Sequence, residues 1–175
     1  MANIMLTDAC NLKCPYCFAN EFVNKDKNDI TKEAFDEATD FIVGDGTHTL
    51  VGLIGGEPTI HPRFEHFSNK LISDRRVKRI VVFTNGICLD RYMDIITHEK
   101  VYLLINCNPP SDTGEADYNK LVDNIGILFR QNEVKDRTYL GINMYKADFE
   151  YLYFTDLLVR YDHRNVRASI AVPNI

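Results

Sequence analysis

The sequence predicts an α/β fold in which six strands alternate with helices, within a single domain of residues 1–175. Short apolar runs rich in β-branched residues recur along the chain, and stretches with helical spacing lie between them. Polar or glycine-containing motifs follow several of the strands. Such alternation indicates parallel βαβ units with right-handed crossovers. Periodicity does not distinguish an open doubly wound sheet from a barrel segment, and in both the active site lies at the carboxyl ends of the strands.

Each element follows from a local pattern. Thr31 can cap the first helix, and the second begins at His61-Pro62, where proline is tolerated in the first turn. The first helix is expected to bury Phe35, Ala38, Phe41 and Ile42. The strands are predicted at residues 4–6, 49–54, 79–84, 101–106, 139–144 and 166–172. The later helices are predicted at residues 89–97, 118–129 and 148–161.

Composition narrows the class of protein. The chain has 175 residues, of which 45% are hydrophobic and 26% charged, as in ordinary globular proteins, and the net charge of −5 argues against a nucleic-acid partner. The sequence contains no apolar stretch long enough to span a bilayer, and its first eight residues are too short and too acidic for a signal peptide. We therefore expect a cytoplasmic protein with no membrane partner.

Cys10, Cys14 and Cys17 have Cys-x-x-x-Cys-x-x-Cys spacing, in a chain with only five cysteines. This crowding favours metal or redox chemistry in a reducing compartment over a disulfide framework or buried inert thiols. Three thiolates can bind one inorganic centre and leave one of its coordination positions free. A structural zinc site would require a fourth ligand and usually a second pair of cysteines, which Cys88 and Cys107 do not form.

A rival interpretation is a thiol–disulfide oxidoreductase. Cys14-Pro15-Tyr16-Cys17 is the tetrapeptide of the glutaredoxin active site, and it also follows a strand. This interpretation leaves Cys10 without a function. It also leaves unexplained the motif Gly55-Gly56-Glu57-Pro58 after the second strand. Thr84-Asn85-Gly86 ends the third strand and Asn106-Cys107-Asn108 the fourth, so all these residues are expected at the same rim.

The two motifs together closely resemble the radical S-adenosylmethionine (radical SAM) enzymes. Cys10-x-x-x-Cys14-x-Tyr16-Cys17 comes first and Gly55-Gly56-Glu57-Pro58 follows, on consecutive βα loops. The resemblance covers nearly the whole chain and implies a partial (βα)6 TIM-like barrel of parallel strands that ends after strand six. Leu6-Thr7-Asp8 and Thr84-Asn85-Gly86 resemble the branch of the superfamily that modifies peptides and small metabolites.

The resemblance implies two cofactors, a [4Fe-4S] cluster and SAM. Cys10, Cys14 and Cys17 would each ligate one iron, and the fourth iron would chelate the amino and carboxylate groups of SAM. One electron, from a reducing partner such as flavodoxin or ferredoxin, would cleave SAM into methionine and a 5′-deoxyadenosyl radical. This radical would abstract hydrogen from a substrate, for which we expect a peptide or protein first and a small molecule second.

The resemblance also implies contacts with SAM. Tyr16 is expected against the adenine, Gly55 and Gly56 where the backbone approaches the methionine ammonium, and Glu57 as the carboxylate partner of that charge. The same cofactor-binding set includes Pro58, Thr84, Asn106 and Asn143, with Asn106 as a contact of the ribose and Asn143 as a contact of the ribose or the carboxylate. Arg167 and Ser169 face either the cofactor and substrate or the surface.

The sequence departs from the pattern of the peptide-modifying branch in two places. Asn106-Cys107-Asn108-Pro109 stands where many members of that branch have Ser-x-Asp-Gly, and the sequence stops just after strand six. An end just after strand six is expected for a minimal core. It is also expected for a piece of a longer protein whose substrate-binding part lies elsewhere. A non-catalytic binding module is a further alternative, which the intact cysteines and the intact Gly55-Gly56-Glu57-Pro58 disfavour.

Overall fold

The computed structural model describes residues 2–17, 19–24 and 28–171. Its six strands form one sheet in the order β1-β2-β3-β4-β5-β6, and every neighbouring pair is parallel. Each crossover therefore moves by one strand in the same direction, whereas a doubly wound sheet reverses at a switch point. This order confirms the predicted partial barrel. The strands are β1 (Ala2–Met5), β2 (Leu50–Ile54), β3 (Arg79–Thr84), β4 (Val101–Asn106), β5 (Thr138–Met144) and β6 (Val166–Ile170).

Seven α-helices accompany these strands in the described part of the chain. They are α1 (Lys32–Val43), α2 (Phe64–Ser73), α3 (Met93–Ile96), α4 (Pro110–Thr113), α5 (Glu115–Leu128), α6 (Asn132–Asp136) and α7 (Leu152–Arg160). Two short 3-10 helices, Pro58–Ile60 and Leu89–Tyr92, precede α2 and α3. The predicted helix 89–97 is thus divided between a 3-10 turn and α3, and the predicted helix 148–161 is the shorter α7. Strand β6 ends at Ile170, and Val172 lies outside the described residues.

The first helix confirms its predicted cap and corrects its predicted face. The hydroxyl of Thr31 accepts a hydrogen bond from the N–H of Ala34, and Phe35 and Ile42 are buried. Phe41, predicted to face inward, is 88% exposed. At about 100° per residue, position 41 lies about 120° around the helix from position 35, so it faces solvent. The position facing the core is Thr39, whose hydroxyl donates to the carbonyl of Phe35.

The hydrophobic core lies between the sheet and the helices. Its largest fully buried side chains come from helices and strands alike, and include Phe35, Phe64, Phe67, Leu53, Ile80 and Leu103. Phe35 of α1 stacks on Phe67 of α2 with ring centroids 4.2 Å apart, which fixes these helices against each other. Among the described residues, no helix has the length and apolarity that a bilayer crossing requires.

Candidate active site

A cavity of about 780 Å³ opens at the rim where the parallel strands end. The residues that line it include most of the predicted site: Cys10, Cys14, Tyr16, Cys17, Gly55, Gly56, Glu57, Thr84, Asn106, Asn143, Arg167 and Ser169. Pro58 is an exception, because it is buried at the start of a 3-10 helix and is not among the lining residues. The fold therefore brings loops that are far apart in the sequence to one cavity.

The loop after β1 is held by a reciprocal pair of hydrogen bonds. The backbone N–H of Cys10 donates to Oδ1 of Asn24 at 2.8 Å, and Nδ2 of Asn24 donates to the carbonyl of Cys10 at 3.0 Å. Asn24 has a φ of 62°, a left-handed conformation that asparagine tolerates better than most residues. The pair closes the loop at its two ends and fixes the position of Cys10.

The sulfur atoms of two site cysteines accept N–H hydrogen bonds. The backbone N–H of Leu12 lies 3.4 Å from Sγ of Cys10, and Nδ2 of Asn108 lies 3.3 Å from Sγ of Cys14. Burial raises the pKa of Cys10 to about 11 and also raises the pKa of Cys14. The nucleophilic thiol of a dithiol oxidoreductase has a lowered pKa, so this environment disfavours the glutaredoxin interpretation.

The donor set fits an iron–sulfur cluster. In the residues that the structure describes, no three His, Cys, Asp or Glu side chains converge as a single metal ion would require. A [4Fe-4S] cluster takes its thiolates on different irons, so its ligands need to surround one cavity without meeting at a point. Three half-buried thiols on one cavity wall, two of them accepting N–H hydrogen bonds, meet that requirement.

Gly55 and Gly56 bring the loop after β2 against the loop after β1. The N–H of Gly56 donates to the carbonyl of Thr7, and the N–H of Glu57 donates to the carbonyl of Ala9, both at 2.8 Å. A Cβ atom on Gly55 would lie 2.6 Å from the carbonyl oxygen of Thr7, and one on Gly56 would collide with that of Ala9. The glycines are therefore required by contact with the cysteine loop. Their predicted approach to the methionine ammonium stays a prediction.

Glu57 is buried and connects two loops. Its carboxylate accepts hydrogen bonds from the N–H and hydroxyl of Thr59, the hydroxyl of Thr84 and the N–H of Asn85. Burial raises the pKa of Glu57, while these four donors act in the opposite direction. The structure thus gives Glu57 and Thr84 a role in holding the ends of β2 and β3 together. Direct pairing of Glu57 with a ligand ammonium stays a prediction.

Four polar side chains form a continuous chain of hydrogen bonds beside the cysteine loop. Nδ2 of Asn143 donates to Oδ1 of Asn106 at 2.7 Å, and Nδ2 of Asn106 donates to the hydroxyl of Tyr16. The Tyr16 hydroxyl donates in turn to Oδ1 of Asn108. The ladder pairs Asn106 with Gly141, which places Asn143 two residues further along β5 on the same face. We call these four residues the amide–tyrosine chain.

The sequence did not reveal the partners of several of these residues. Asn24, Thr59 and Asn85 each anchor a site residue, and Asn108 contacts a cysteine. Asn85 and Asn108 share one recognisable feature, because each follows the carboxyl end of a strand. Nothing in the spacing of Asn24 or Thr59 distinguishes them from ordinary loop residues.

The charges that line the cavity are mostly positive. Lys13 and Arg167 both line it and are exposed, whereas the carboxylate of Glu57 is already occupied by four donors. Glu57 is the only acidic residue among the described lining residues. The sequence allows either a cavity or a surface position for Arg167 and Ser169. Both residues line the cavity.

Comparison with solved structures agrees with this fold. Streptococcus suis SuiB bound to S-adenosylmethionine aligns with 97% of this chain and 40% of its own, with a TM-score of 0.70 and 16% identity. BtrN in complex with AdoMet and 2-DOIA aligns with 81% of this chain and 56% of its own, with a TM-score of 0.62 and 14% identity. At such low identity the likeness concerns the fold alone.

Sequence comparison identifies the family. A GTP 3',8-cyclase of Alkaliphilus oremlandii is 30% identical over 138 residues, which are 73% of this chain and 42% of the relative. A GTP 3',8-cyclase of Synechocystis sp. is 30% identical over 99 residues, which are 56% of this chain and 30% of the relative. The chain thus spans less than half the length of these curated relatives. The model of the radical SAM superfamily matches residues 4–154, and the chain belongs to that superfamily.

Proposed function

We propose that this chain is the radical-generating core of an enzyme that acts on a small anionic substrate, with a purine nucleoside triphosphate as the first candidate. The observation that carries the proposal is the convergence of Cys10, Cys14 and Cys17 with Gly55 and Gly56 at one cavity. Enzymes of this superfamily use a [4Fe-4S] cluster and SAM, the cofactor pair that the sequence predicted. Together these cofactors supply one-electron cleavage of SAM to methionine and a 5′-deoxyadenosyl radical, which takes a hydrogen atom from the substrate.

The residues of the chain have separate tasks in this proposal. The three cysteines hold the cluster, and the N–H groups of Leu12 and Asn108 stabilise the charge on two of the sulfurs. The carboxylate of Glu57 joins the loop after β2 to the loop after β3, and the backbone N–H of Glu57 bonds the cysteine loop at Ala9. Tyr16, Asn106 and Asn143 line the cavity, and we propose that they contact the adenosine part of SAM. The residues around the cavity would also have to limit the access of water while the cofactors react.

Two observations support an anionic small molecule over a peptide. The sequence relatives described above are both GTP 3',8-cyclases, and the exposed charges that line the cavity, on Lys13 and Arg167, are positive. A peptide or protein, expected first from the sequence, has weaker support. Streptococcus suis SuiB has been solved bound to the precursor peptide SuiA, but its identity to this chain is 17%. At 17% identity the similarity supports a shared fold and gives no support for a shared substrate.

The proposal includes an electron donor and a cellular location. Reduction of the cluster requires a low-potential protein, and flavodoxin or ferredoxin is the donor class we propose. The free, unpaired state of all five cysteines suits a cytoplasmic location, where thiols stay reduced.

Anaerobic reconstitution tests the reaction class. The chain is supplied with iron and sulfide, then with SAM and dithionite, and 5′-deoxyadenosine and methionine are quantified by chromatography. We expect iron uptake and equal amounts of the two products. Cys10→Ala should lose both cluster and products, while Cys107→Ala, a buried cysteine outside the cavity, should keep them. A wild-type protein that forms neither cluster nor 5′-deoxyadenosine would exclude the proposal.

Nucleotide binding tests the substrate class. Titration of the reconstituted protein with GTP should show saturable binding that Arg167→Gln weakens about tenfold, the loss expected for one charge-assisted hydrogen bond. Arg160→Gln, at an exposed arginine of α7 away from the cavity, serves as the control. Equal weakening by both substitutions, or stimulation of 5′-deoxyadenosine formation by a peptide but not by GTP, would contradict the nucleotide assignment.

A further inference from the structure

We propose that Asn108 raises the reduction potential of the cluster by donating a hydrogen bond to Cys14, and that the amide–tyrosine chain orients it for this task. The inference rests on the proposed binding of the cluster by Cys10, Cys14 and Cys17. It concerns a residue for which the sequence predicts a position at the rim after β4 but no contact with a cysteine.

The contact itself is direct. Nδ2 of Asn108 lies 3.3 Å from Sγ of Cys14, within the range of an N–H···S hydrogen bond. Asn108 is 2% exposed, so water does not compete effectively for this donor. Cys14 stands 94 positions away in the sequence, on the loop after β1, and only the tertiary fold brings the two side chains together.

The hydrogen bonds of Oδ1 set the orientation of the Asn108 amide. Its Oδ1 accepts from the hydroxyl of Tyr16 and, at 3.1 Å, from Nδ2 of Asn106. Both partners direct N–H or O–H groups toward this oxygen. The flipped amide would place Nδ2 against these donors and would present an oxygen to the sulfur. The N–H therefore faces Cys14.

The chain behind Asn108 has a single direction. Asn143 donates to Asn106, Asn106 to Tyr16, Tyr16 to Asn108, and Asn108 to the sulfur. Each donor is thus polarised by the acceptor ahead of it, and successive bonds of this kind strengthen one another. Negative charge on the sulfur is the terminus toward which all four groups donate.

The effect on the cluster follows from charge. Reduction adds one electron, part of whose density lies on the cysteine sulfurs, so a hydrogen-bond donor stabilises the reduced state more than the oxidised state. Removal of the donor must therefore make reduction harder. Replacement of the donor by a carboxylate oxygen must make it harder still, because a negative charge then faces the sulfur.

Three variants separate these contributions. Asn108→Asp keeps an oxygen acceptor for Tyr16 and Asn106 but replaces the N–H donor. Asn108→Leu removes the donor without adding charge. Asn20→Asp makes the same change of charge at an exposed residue that lines the same cavity and whose side chain makes no hydrogen bond to a sulfur among the described residues. It serves as the matched control for the added charge.

The readout is the midpoint potential of the reconstituted cluster in the absence of SAM, measured by redox titration and electron paramagnetic resonance. Iron and sulfide contents are matched first. We expect Asn108→Leu to shift the reduction equilibrium roughly threefold toward the oxidised form. Asn108→Asp should shift it about tenfold, which is a potential about 59 mV lower for a one-electron couple. Asn20→Asp should shift it less than Asn108→Leu.

The outcomes distinguish this inference from the proposed function. Equal potentials in wild type, Asn108→Leu and Asn108→Asp, at equal iron content, would overturn the role of Asn108 and leave cluster binding intact. A shift in Asn20→Asp as large as that in Asn108→Asp would overturn it too, because charge alone would then account for the effect. A wild-type chain that takes up no cluster overturns both proposals. If Asn108→Asp fails to assemble a cluster, the comparison of Asn108→Leu with wild type decides the matter.

Discussion

The carboxylate of Glu57 accepts a hydrogen bond from the backbone N–H of Asn85 at 2.7 Å, across the space between the loops after β2 and β3. The same carboxylate accepts from the hydroxyl of Thr84, and that hydroxyl accepts from the N–H of Gly86. Glu57 is 1% exposed, so no water molecule could accept these hydrogen bonds if the carboxylate were lost. A single buried side chain thus determines how two walls of the cavity are joined.

Glu57→Gln is expected to destabilise the protein by about 3 kcal/mol. The substituted amide group would direct N–H groups at the backbone donor of Asn85, which would remain buried without an acceptor. Urea unfolding of the metal-free protein measures the loss. Glu65→Gln, at an exposed glutamate of α2, should change the free energy of unfolding by less than about 0.5 kcal/mol. Equal losses in the two variants would contradict the connecting role.

Gly56→Ala should destabilise the protein by about 2 kcal/mol, the cost of forcing extra volume into a packed site. Its Cβ would collide with the carbonyl of Ala9, just before Cys10, so the cysteine loop must move. Gly141→Ala is the matched control, since its Cβ would meet its nearest neighbour, the carbonyl of Arg167, at 3.5 Å. Thermal unfolding and iron uptake report the two effects. A Gly56→Ala protein as stable and as iron-replete as Gly141→Ala would refute the explanation.

The stability of the protein should fall as the pH falls from 6.5 toward 5, in part because of His61. Burial lowers the pKa of this histidine, which is 2% exposed, although the carboxylate of Asp29 acts in the opposite direction. The unfolded chain takes up a proton near pH 6.5 and the folded chain only at lower pH. The stability linked to neutral His61 is therefore present above pH 6.5 and is lost below it, at about 1 kcal/mol per pH unit.

The substitution His61→Asn tests this assignment. Nδ1 of His61 accepts the N–H of Arg63 at 2.9 Å, and the amide oxygen of an asparagine can take its place. The variant should lose less stability than wild type between pH 7 and pH 5, as measured by urea midpoints. His66→Asn, at an exposed histidine of α2, should keep the wild-type pH dependence. Identical pH profiles for wild type and His61→Asn would show that His61 does not contribute to the pH dependence of stability.

Cys10 of the metal-free protein should react slowly with iodoacetamide. Burial raises the pKa of Cys10 to about 11, and the reactive species is the thiolate. At pH 8 we expect labelling roughly a hundredfold slower than in urea, where the thiol has its ordinary pKa. The rate should rise about tenfold per pH unit toward pH 10. Site-resolved mass spectrometry measures the labelling of Cys10, and a rate in the folded protein at pH 8 equal to the rate in urea would contradict the effect of burial on this thiol.

Much of the fold could be predicted from the sequence because it depends on local patterns. The six strands were placed within a few residues by short apolar runs, and Thr31 by its position before an amphipathic stretch. Phe41 was misplaced because several apolar residues of α1 compete for one buried face, and only the packing against the sheet selects among them. The rim was predictable as well, because parallel strands place all their carboxyl ends on one side.

The sequence by itself determined the superfamily and predicted the three cysteines as cluster ligands, because these cysteines and a Gly-Gly-Glu-Pro motif are local features with a fixed order. Only the tertiary structure decided what surrounds them. It buried Glu57 between two loops and placed the N–H of Asn108 at the sulfur of Cys14. These contacts join residues 28 and 94 positions apart in the chain, and they exist only where strand register and loop closure bring the partners together. Local sequence patterns do not predict contacts between residues so far apart in the chain.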